Sequence, residues 1–252
     1  MSAFVQQPNL PEHCAALVYS GKYADKLAKA LELLDISSIF LPDNPDIDAR
    51  LSGHADLSIL HSGGNHLFLA PYLKGSALEA ELQRMGVSIC FPKITQREYY
   101  PRDAQLNLCI AGDHFIYNGK TAAREIVDYL TIRRHSRGIL CRQGYSRCCV
   151  CVVDESSVIT ADRGIAASAR DYGLDVLLIQ PGYILLDGFD YGFIGGASFK
   201  IAADKLAFTG HLRYHPDADK ILHFLDAHGV VPIYLTQHPA FDIGSAIPLL
   251  EN

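Results

Sequence analysis

His54 and Asp56 have the residue types and the spacing for acid–base chemistry on a bound cation. Apolar and polar residues alternate from residue 55 to residue 59, which predicts a strand with two unlike faces. Side chains two positions apart on a strand point to the same side. A histidine there can transfer a proton near neutral pH, and a carboxylate beside it can hold a cation by charge-assisted hydrogen bonds. The pair could equally make structural hydrogen bonds at a strand end, so both interpretations stay open.

Asp103 and Asn107 occupy matching places in a second copy of this stretch. Residues 103–118 align with residues 54–70 if one glycine is deleted, and Asp103 falls where the first copy has its histidine. Asp103 is a candidate second catalytic carboxylate, or it forms an exposed ion pair with Arg102 that adds little stability. Asn107 is a candidate substrate-binding residue near the centre of the molecule, or it satisfies backbone groups.

The densest group of thiols is Cys-Cys-x-Cys at residues 148–151. Arg147 could lower the pKa of a neighbouring thiol, whereas buried cysteines usually serve as small apolar side chains. On a strand, Cys148 and Cys149 would point to opposite faces, so one of them could reach a site. The spacing lacks the Cys-x-x-Cys pairs of zinc sites, so no metal ion is predicted. Cys148 is therefore a candidate substrate-binding residue.

Asp162 and Ser245 are the remaining candidates for substrate binding. Asp162 lies between a predicted strand and a predicted helix, where it either caps the helix or faces the centre. Ser245 lies in the glycine-containing segment 242–247. A serine is a weak nucleophile at neutral pH unless a base activates it, so Ser245 is predicted to bind substrate.

The elements that must position these residues recur five times along the chain. Each repeat consists of strand, strand, helix and strand over roughly 40 to 50 residues, a period typical of propellers and solenoids. The helices are predicted at residues 25–34, 75–85, 122–130, 164–172 and 215–229. We therefore predict one domain, residues 1–252, folded as a five-bladed α/β propeller of ββαβ repeats with pseudo-fivefold symmetry. The heads of the first strands would line a central polar channel; a mixed α/β sheet is the alternative.

The composition argues against several classes of function. The 252 residues are 49% hydrophobic, enough for a large core, and a net charge of −6 argues against a nucleic-acid-binding or membrane-binding surface. No run of about 18 apolar residues predicts a membrane-spanning helix, and the first residues do not have the pattern of a signal peptide. The seven cysteines lack a disulfide-like spacing, so we expect reduced thiols and a cytoplasmic location.

Five strand–strand–helix–strand repeats that open with polar residues resemble the guanidino-modifying enzymes, also called penteins. That family includes arginine and agmatine deiminases, dimethylarginine hydrolases, amidinotransferases and a non-catalytic translation initiation factor. Its enzymes carry His-x-Asp at the head of a first strand, and this chain has His54-Ala55-Asp56 at such a position. The chain thus resembles an uncharacterised branch of that fold. The resemblance implies that His54 is a general acid/base and that Asp56 binds a guanidinium group. A second carboxylate assists, and Asp103 is the candidate for it.

The chain departs from the family's pattern at the nucleophile. The family's cysteine lies in a glycine-rich segment close to the C-terminus and forms an amidino-thioether intermediate, but residues 242–247 contain no cysteine. Ser245 is the nearest hydroxyl in that segment. Another cysteine could serve, catalysis could differ, or the protein could be a non-catalytic binding protein on the same scaffold.

The resemblance leads to a first hypothesis about function: a hydrolase that acts on a small guanidino or amidino compound. Such a reaction needs no cofactor, and the expected partner is a small-molecule substrate or ligand rather than nucleic acid or membrane. The aromatic residues Phe189, Tyr191 and Phe193 are a candidate contact for a homodimer.

Overall fold

The computed structural model describes residues 2–252, which form five small sheets arranged in a ring. The strands are β1 (Ala3–Phe4), β2 (Cys14–Ser20), β3 (Ser37–Leu41), β4 (Ile59–His61), β5 (His66–Leu69), β6 (Ser88–Cys90), β7 (Cys109–Ala111), β8 (His114–Tyr117), β9 (Arg137–Leu140), β10 (Val150–Val152), β11 (Ser157–Thr160), β12 (Asp175–Leu178), β13 (Ser198–Ala202), β14 (Lys205–Phe208), β15 (Val231–Tyr234) and β16 (Ile247–Glu251). The helices are α1 (Ala24–Glu32), α2 (Ala55–Ser58), α3 (Ala77–Arg84), α4 (Arg124–Asp128), α5 (Ser146–Cys149), α6 (Arg163–Asp171) and α7 (Ala218–Ala227). Short 3-10 turns cover Gly21–Tyr23, Pro71–Leu73 and Leu212–Tyr214, and a π-helical turn, Tyr129–Arg133, extends α4.

Each sheet repeats one pattern, in which two antiparallel strands are followed by a third strand parallel to the second. In the second unit β4 pairs antiparallel with β5, and β5 pairs parallel with β6 across helix α3. The third, fourth and fifth units repeat this order with α4, α6 and α7 before their last strands. The predicted five-bladed α/β propeller of ββαβ repeats is confirmed, and the alternative of one mixed sheet is wrong.

The first unit is completed by the last strand of the chain. β16 pairs antiparallel with β2, and β2 pairs parallel with β3, so β16 takes the place of a first strand. β1 pairs with the other edge of β16. The last strand, β16, therefore closes the ring, and the segment just before it is brought to the centre.

The second unit shows why these residues form a hairpin followed by a helix. Gly63 and Gly64 make the turn with φ of 102° and 60°, values that favour glycine. Ser76 caps α3 because its side chain accepts a hydrogen bond from the backbone N–H of Glu79 at 3.1 Å. Gly86 ends the helix with a φ of 88°. The helix buries Leu78 and Leu82 against the sheet, as its apolar spacing predicts.

Apolar clusters lie between neighbouring units all the way around the ring. The cluster between the first and second units, for example, joins Val18 and Ile39 to Ile59 and Leu67. Similar clusters join the second unit to the third, the third to the fourth, the fourth to the fifth and the fifth to the first. Each fully buried aliphatic side chain contributes about 1.5–3 kcal/mol, so these contacts stabilise the ring.

The heads of two first strands are single helical turns, which the sequence did not predict. Residues 55–58 form α2 and residues 146–149 form α5, where extended strands were expected. The strand heads converge at the centre, where a helical turn satisfies backbone groups that have no neighbouring strand. The strand predicted at these two places is therefore wrong, although Cys148 and Cys149 still line different cavities and His54 and Asp56 still lie in one cluster.

None of the helices in residues 2–252 combines the length and the apolar character that are needed to cross a membrane.

Candidate functional site

A buried arginine fills the centre of the ring, where an open polar channel was predicted. The Arg147 guanidinium donates from Nη1 to the carbonyl oxygens of Val150 and Gly195, at 3.1 and 3.3 Å. Its Nη2 donates to Ser245 Oγ at 2.6 Å. A cavity of about 10 Å³ beside Arg147 is barely large enough for one water molecule. Beside Arg147 the centre is therefore packed and closed to a substrate, and the predicted central channel stays a prediction.

Asn107 links three of the five units at the centre. We define the hub as Arg147, Asn107, Ser245 and the groups they contact. Asn107 Oδ1 accepts hydrogen bonds from the backbone N–H groups of Arg147 and Cys148 at 2.7 and 3.3 Å. Its Nδ2 donates to the backbone carbonyl of Asp56 at 3.2 Å and lies 3.3 Å from Cys148 Sγ. Asn107 thus satisfies backbone groups, the second of its two predicted roles, and also positions the Cys148 thiol.

Ser245 lies on the hub and does not line the cavity that contains the thiol. Its hydroxyl accepts from Arg147 and donates to the carbonyl oxygen of Ser198 at 3.1 Å. Ser245 is fully buried and has a φ of 62°. These contacts give Ser245 a structural role, and its binding of substrate stays a prediction.

Cys148, Asp56 and His54 meet beside the hub. The Cys148 thiol donates to Asp56 Oδ2 at 2.8 Å, although the two residues are 92 positions apart in the chain. A ring nitrogen of His54, a carboxylate oxygen of Asp56 and the Cys148 sulfur all lie within 4.8 Å of one another. The three residues are buried, and neither His54 Nε2 nor Asp56 Oδ1 has a hydrogen-bond partner. An unpaired buried polar group costs about 1–3 kcal/mol of stability, so the two unpaired atoms make this cluster a candidate ligand-binding site.

Asp242 completes the cluster and was not singled out from the sequence. Its Oδ1 and Oδ2 accept from the backbone N–H groups of Gly244 and Phe193 at 2.8 and 2.9 Å, and Oδ1 lies 3.9 Å from His54 Nδ1. Gly244 has a φ of 70°, and a Cβ there would overlap the His54 side chain. The sequence feature that points to Asp242 is its place at the start of the glycine-containing segment 242–247.

Burial and negative charge set the pKa values of this cluster. Burial raises the pKa of the Cys148 thiol well above its usual value, and the charges of Asp56 and Asp242 raise it further. Burial also raises the pKa of Asp242, against the opposing effect of His54. The expectation that Arg147 lowers the pKa of its neighbour is wrong for Cys148, because the nearby carboxylates act in the opposite direction. A cation bound between the carboxylates would offset their effect on the thiol.

A cavity of about 150 Å³ opens onto this cluster. Its polar wall consists of His54, Cys148 and Asp242, and its aliphatic wall of Leu51, Leu57 and Leu186. The rest of the wall is aromatic: Tyr145, Phe189, Tyr191 and Phe193. The last three were predicted as a dimer contact, but they line this cavity, which we call the thiol cavity.

Asp103 reaches the thiol cavity only through a neighbour. It is buried, and its Oδ2 accepts a hydrogen bond from the Tyr145 hydroxyl at 2.5 Å. Burial raises the pKa of Asp103, against the effect of the Tyr145 hydroxyl. No ion pair with Arg102 occurs among the residues that the structure describes. The geometry therefore makes Asp103 a residue that positions Tyr145, and its role as a catalytic carboxylate stays a prediction.

Asp162 lies away from the thiol cavity. Its Oδ1 accepts from the backbone N–H of Ile165 at 2.8 Å, so it caps α6. It lines a separate cavity of about 110 Å³, together with Cys149. Asp162 thus has the capping role, the first of its two predicted roles, and its binding of substrate stays a prediction.

The cluster of His54, Asp56 and Cys148 offers one nitrogen, one oxygen and one sulfur ligand. These are the ligand types that Zn²⁺ accepts, with a fourth position left for water or substrate. The sequence-based prediction of no metal ion stays a prediction, and this cluster is where a test would look for one.

Comparison with solved structures shows that the fold is that of the guanidino-modifying enzymes. An inosamine-phosphate amidinotransferase, StrB1 from Streptomyces griseus, is 12% identical, with a TM-score of 0.59 over 98% of this chain and 97% of the other. Agmatine deiminase from C. jejuni with bound substrate is 8% identical, with a TM-score of 0.59 over 98% and 96%. An amidinotransferase of the saxitoxin pathway from Microseira wollei is 10% identical, with a TM-score of 0.54 over 91% of each chain.

Within this fold, the chain belongs to a family of unknown function (DUF6873), whose pattern it matches over residues 18–247. No curated protein matches its sequence. At 8–12% identity the solved structures establish the fold alone. The roles of individual residues in this chain must therefore be argued from its own geometry.

Proposed function

We propose that this protein is a hydrolase that cleaves a C–N bond of a small guanidino or amidino compound, with Cys148 as the nucleophile. His54 acts as the general acid and base, and Asp56 and Asp242 hold the cationic group. The observation that carries the proposal is the contact between the Cys148 thiol and Asp56, next to the unpaired Nε2 of His54. Cys148, His54 and Asp242 lie on the wall of the thiol cavity, and Asp56 lies behind the thiol.

Binding of the cation would activate the thiol. The charges of Asp56 and Asp242 keep the pKa of Cys148 high, so a guanidinium or amidinium group between them lowers it. The thiol proton then passes to the His54 imidazole, and the thiolate becomes the nucleophile. The resting thiol stays protonated and unreactive until substrate arrives.

The reaction then proceeds through two balanced steps. Thiolate attack on the amidino carbon forms a C–S bond, and the C–N bond to the leaving amine breaks as that amine takes a proton from the His54 imidazolium. His54 next removes a proton from water, which attacks the same carbon, and the C–S bond breaks to regenerate the thiolate. A guanidine and water thus give a ureido compound and ammonia or an amine.

The non-catalytic binding protein remains the alternative, but its main support is weaker than the sequence indicated. That support was the missing cysteine in the segment 242–247. In this chain a thiol from the fourth unit lies beside His54 and Asp56, although a buried thiol with a raised pKa is also what an inert cysteine would have. The cytoplasmic location and the homodimer predicted from the sequence also stay predictions.

The proposal is tested with a matched pair of alkylating probes, 2-chloroacetamidine and 2-chloroacetamide. They have the same shape, but only the amidine is cationic. We expect the amidine to label Cys148 at least tenfold faster than the amide, with the site mapped by mass spectrometry. Cys148→Ala should lose this labelling, while Cys149→Ala keeps it because Cys149 lines a different cavity.

Turnover is measured in parallel as release of ammonia or amine from a panel of guanidines and amidines. Wild type and Cys149→Ala should turn over a member of the panel, and Cys148→Ala and His54→Ala should not. Turnover that survives Cys148→Ala would rule out the proposed nucleophile. Absence of both labelling and turnover would favour the non-catalytic binding protein.

A further inference from the structure

We infer that the ligand of the thiol cavity is a small guanidine or amidine whose substituent is apolar and uncharged, and not an amino acid. This inference rests on the proposed function, because it names the substrate class for the same site. Three features carry it: the volume of the cavity, the chemistry of its wall and the bonding of Arg50, a basic residue that lies over the Phe189 ring.

The volume limits the ligand to a few heavy atoms. The thiol cavity measures about 150 Å³. An apolar cavity of about this size holds a ligand such as benzene, which has six carbon atoms. A guanidinium group itself has four heavy atoms, so about two to four carbon atoms remain for the substituent.

The wall offers a place for one cation and for apolar groups, but none for an anion. No lysine or arginine is among the residues of the described chain that line the thiol cavity. Asp242 supplies negative charge at one end, and the remaining lining apart from His54 and Cys148 is leucine, phenylalanine and tyrosine. A carboxylate on the ligand would lose its water without gaining a positive partner, which is costly in such a cavity. Aromatic faces instead favour the cationic head.

The basic residue at the rim already has partners. Arg50 pairs with Asp48 through Nε and Nη2, and its Nη1 donates to the carbonyl oxygen of Gly188 at 2.8 Å. Its guanidinium lies 4.2 Å from the centre of the Phe189 ring. Because these partners already occupy the Arg50 guanidinium, it is not available to pair with a carboxylate on the ligand.

A second cavity nearby could accept a longer ligand and must be included in the test. It measures about 450 Å³, contains Lys26, and shares Leu186 and Asp242 with the thiol cavity. An amino acid could bind if its tail passed Leu186 and paired with Lys26. The inference requires that the ligand does not extend past Leu186 into this second cavity.

The experiment measures binding by calorimetry in Cys148→Ser, which removes turnover but keeps the site. The probes are methyl-, ethyl- and propylguanidine, together with the isosteric pair isobutylguanidine and guanidinoacetate, and arginine. We expect affinity to rise about fourfold for each added methylene, which corresponds to about 0.8 kcal/mol, until the cavity is full. Isobutylguanidine should bind at least a hundredfold more tightly than guanidinoacetate, which has the same shape but carries a carboxylate.

Two variants sharpen the result. Leu186→Lys places a cation on the wall, so it should raise the affinity for guanidinoacetate relative to isobutylguanidine. Lys26→Met should leave the binding of alkylguanidines unchanged. Equal or tighter binding of guanidinoacetate or arginine in the Cys148→Ser protein would overturn the inference, and its loss in the additional Lys26→Met variant would show that the tail uses the second cavity.

The failure of this inference can be told apart from the failure of the proposed function. If alkylguanidines bind as expected but wild type does not turn them over, the ligand class stands and the hydrolase is wrong. If wild type hydrolyses arginine or guanidinoacetate through Cys148, the hydrolase stands and the ligand class is wrong. If no guanidine binds, the inference is overturned, and turnover decides the function by itself.

Discussion

The polar groups on the two sides of the helical turn α5 differ in how completely they are hydrogen-bonded. On the hub side, Arg147 donates three hydrogen bonds through Nη1 and Nη2, and its Nε is the one group left unpaired. On the cavity side, Cys148 has a single carboxylate partner, Asp56, and the nearby His54 Nε2 has none. The hub is arranged to hold five units together, whereas the cavity side keeps donors and acceptors free for a ligand.

Because of this difference, two adjacent residues have different roles: Arg147 stabilises the fold, and Cys148 belongs to the ligand site. A buried group whose hydrogen bonds are all internal contributes to the fold, because its loss leaves partners unpaired. A buried group without a partner costs stability, and proteins keep such groups mainly at functional sites. We therefore expect changes on the hub side to destabilise the protein and changes on the cavity side to affect binding with little loss of stability.

The largest effect is expected for Arg147→Met on the hub side. The substitution leaves two carbonyl oxygens and the Ser245 hydroxyl without their donor. We expect the free energy of unfolding to fall by about 3–5 kcal/mol, measured by urea denaturation, because each buried polar group left unpaired costs about 1–3 kcal/mol. If too little folded protein remains, Arg147→Lys should give a smaller loss in the same direction.

Arg170→Met is the matched control for this prediction. Arg170 is exposed and makes one hydrogen bond, to the carbonyl oxygen of Val176 at 2.7 Å. Its loss should cost less than about 1 kcal/mol. Equal losses in Arg147→Met and Arg170→Met would contradict the idea that the hub holds the ring together.

The next effect is the dependence of stability on pH, which comes from His61 near the hub. Burial lowers the pKa of His61 from 6.5 to about 4, and its Nε2 lies 2.8 Å from the carbonyl oxygen of Gly64. Between these two pKa values the unfolded chain binds more protons than the folded one, so stability is lost as the pH falls from about 6.5 to 4. The expected loss is about 3 kcal/mol.

His61→Gln provides the comparison for this prediction, because glutamine keeps a donor for Gly64 but does not titrate. The free energies of unfolding of wild type and variant are measured at pH 7 and pH 4. We expect wild type to lose about 3 kcal/mol more than His61→Gln between the two conditions. The same loss in both proteins would show that His61 does not control the acid stability.

The sequence was sufficient to predict the repeats and part of the site. Apolar periodicity marks each unit, and helix-ending glycines (Gly86, Gly173 and Gly229) mark three of them, because these signals are local. His54 and Asp56 were singled out for the same reason: they are two positions apart. Cys148 was also singled out, but its contact with Asp56 depends on how the second and fourth units meet around the ring, and no local pattern encodes that meeting.

Two other features could not be predicted from local patterns. The alternation over residues 55–59 fits a strand and a short helical turn equally well in so few residues, and the crowded centre of the ring decides between them. Asp242 reaches His54 because β16 closes the first unit and draws the preceding segment to the centre. Predicting this contact requires the ring closure, which joins residues at opposite ends of the described chain.

The smallest effect is expected on the cavity side, for Arg50→Ala at the rim. Arg50 lies over the Phe189 ring and binds the carbonyl oxygen of Gly188, so it holds this part of the cavity wall in place. Without this support the wall must be ordered when the ligand binds, so we expect a two- to fivefold loss of affinity for an alkylguanidine, about 0.5–1 kcal/mol of binding free energy. The free energy of unfolding should change by less than about 0.5 kcal/mol, because half of the Arg50 side chain is exposed.

Arg213→Ala is the matched control, because Arg213 also lies over an aromatic ring, Tyr214, but does not line the thiol cavity. Its affinity for the alkylguanidine, measured by the same calorimetry, should equal that of wild type. A loss of stability in Arg50→Ala as large as its loss of affinity would mean that the rim belongs to the fold in the way the hub does. Lost affinity with unchanged stability would extend the contrast between the two sides of α5 to the outer edge of the cavity.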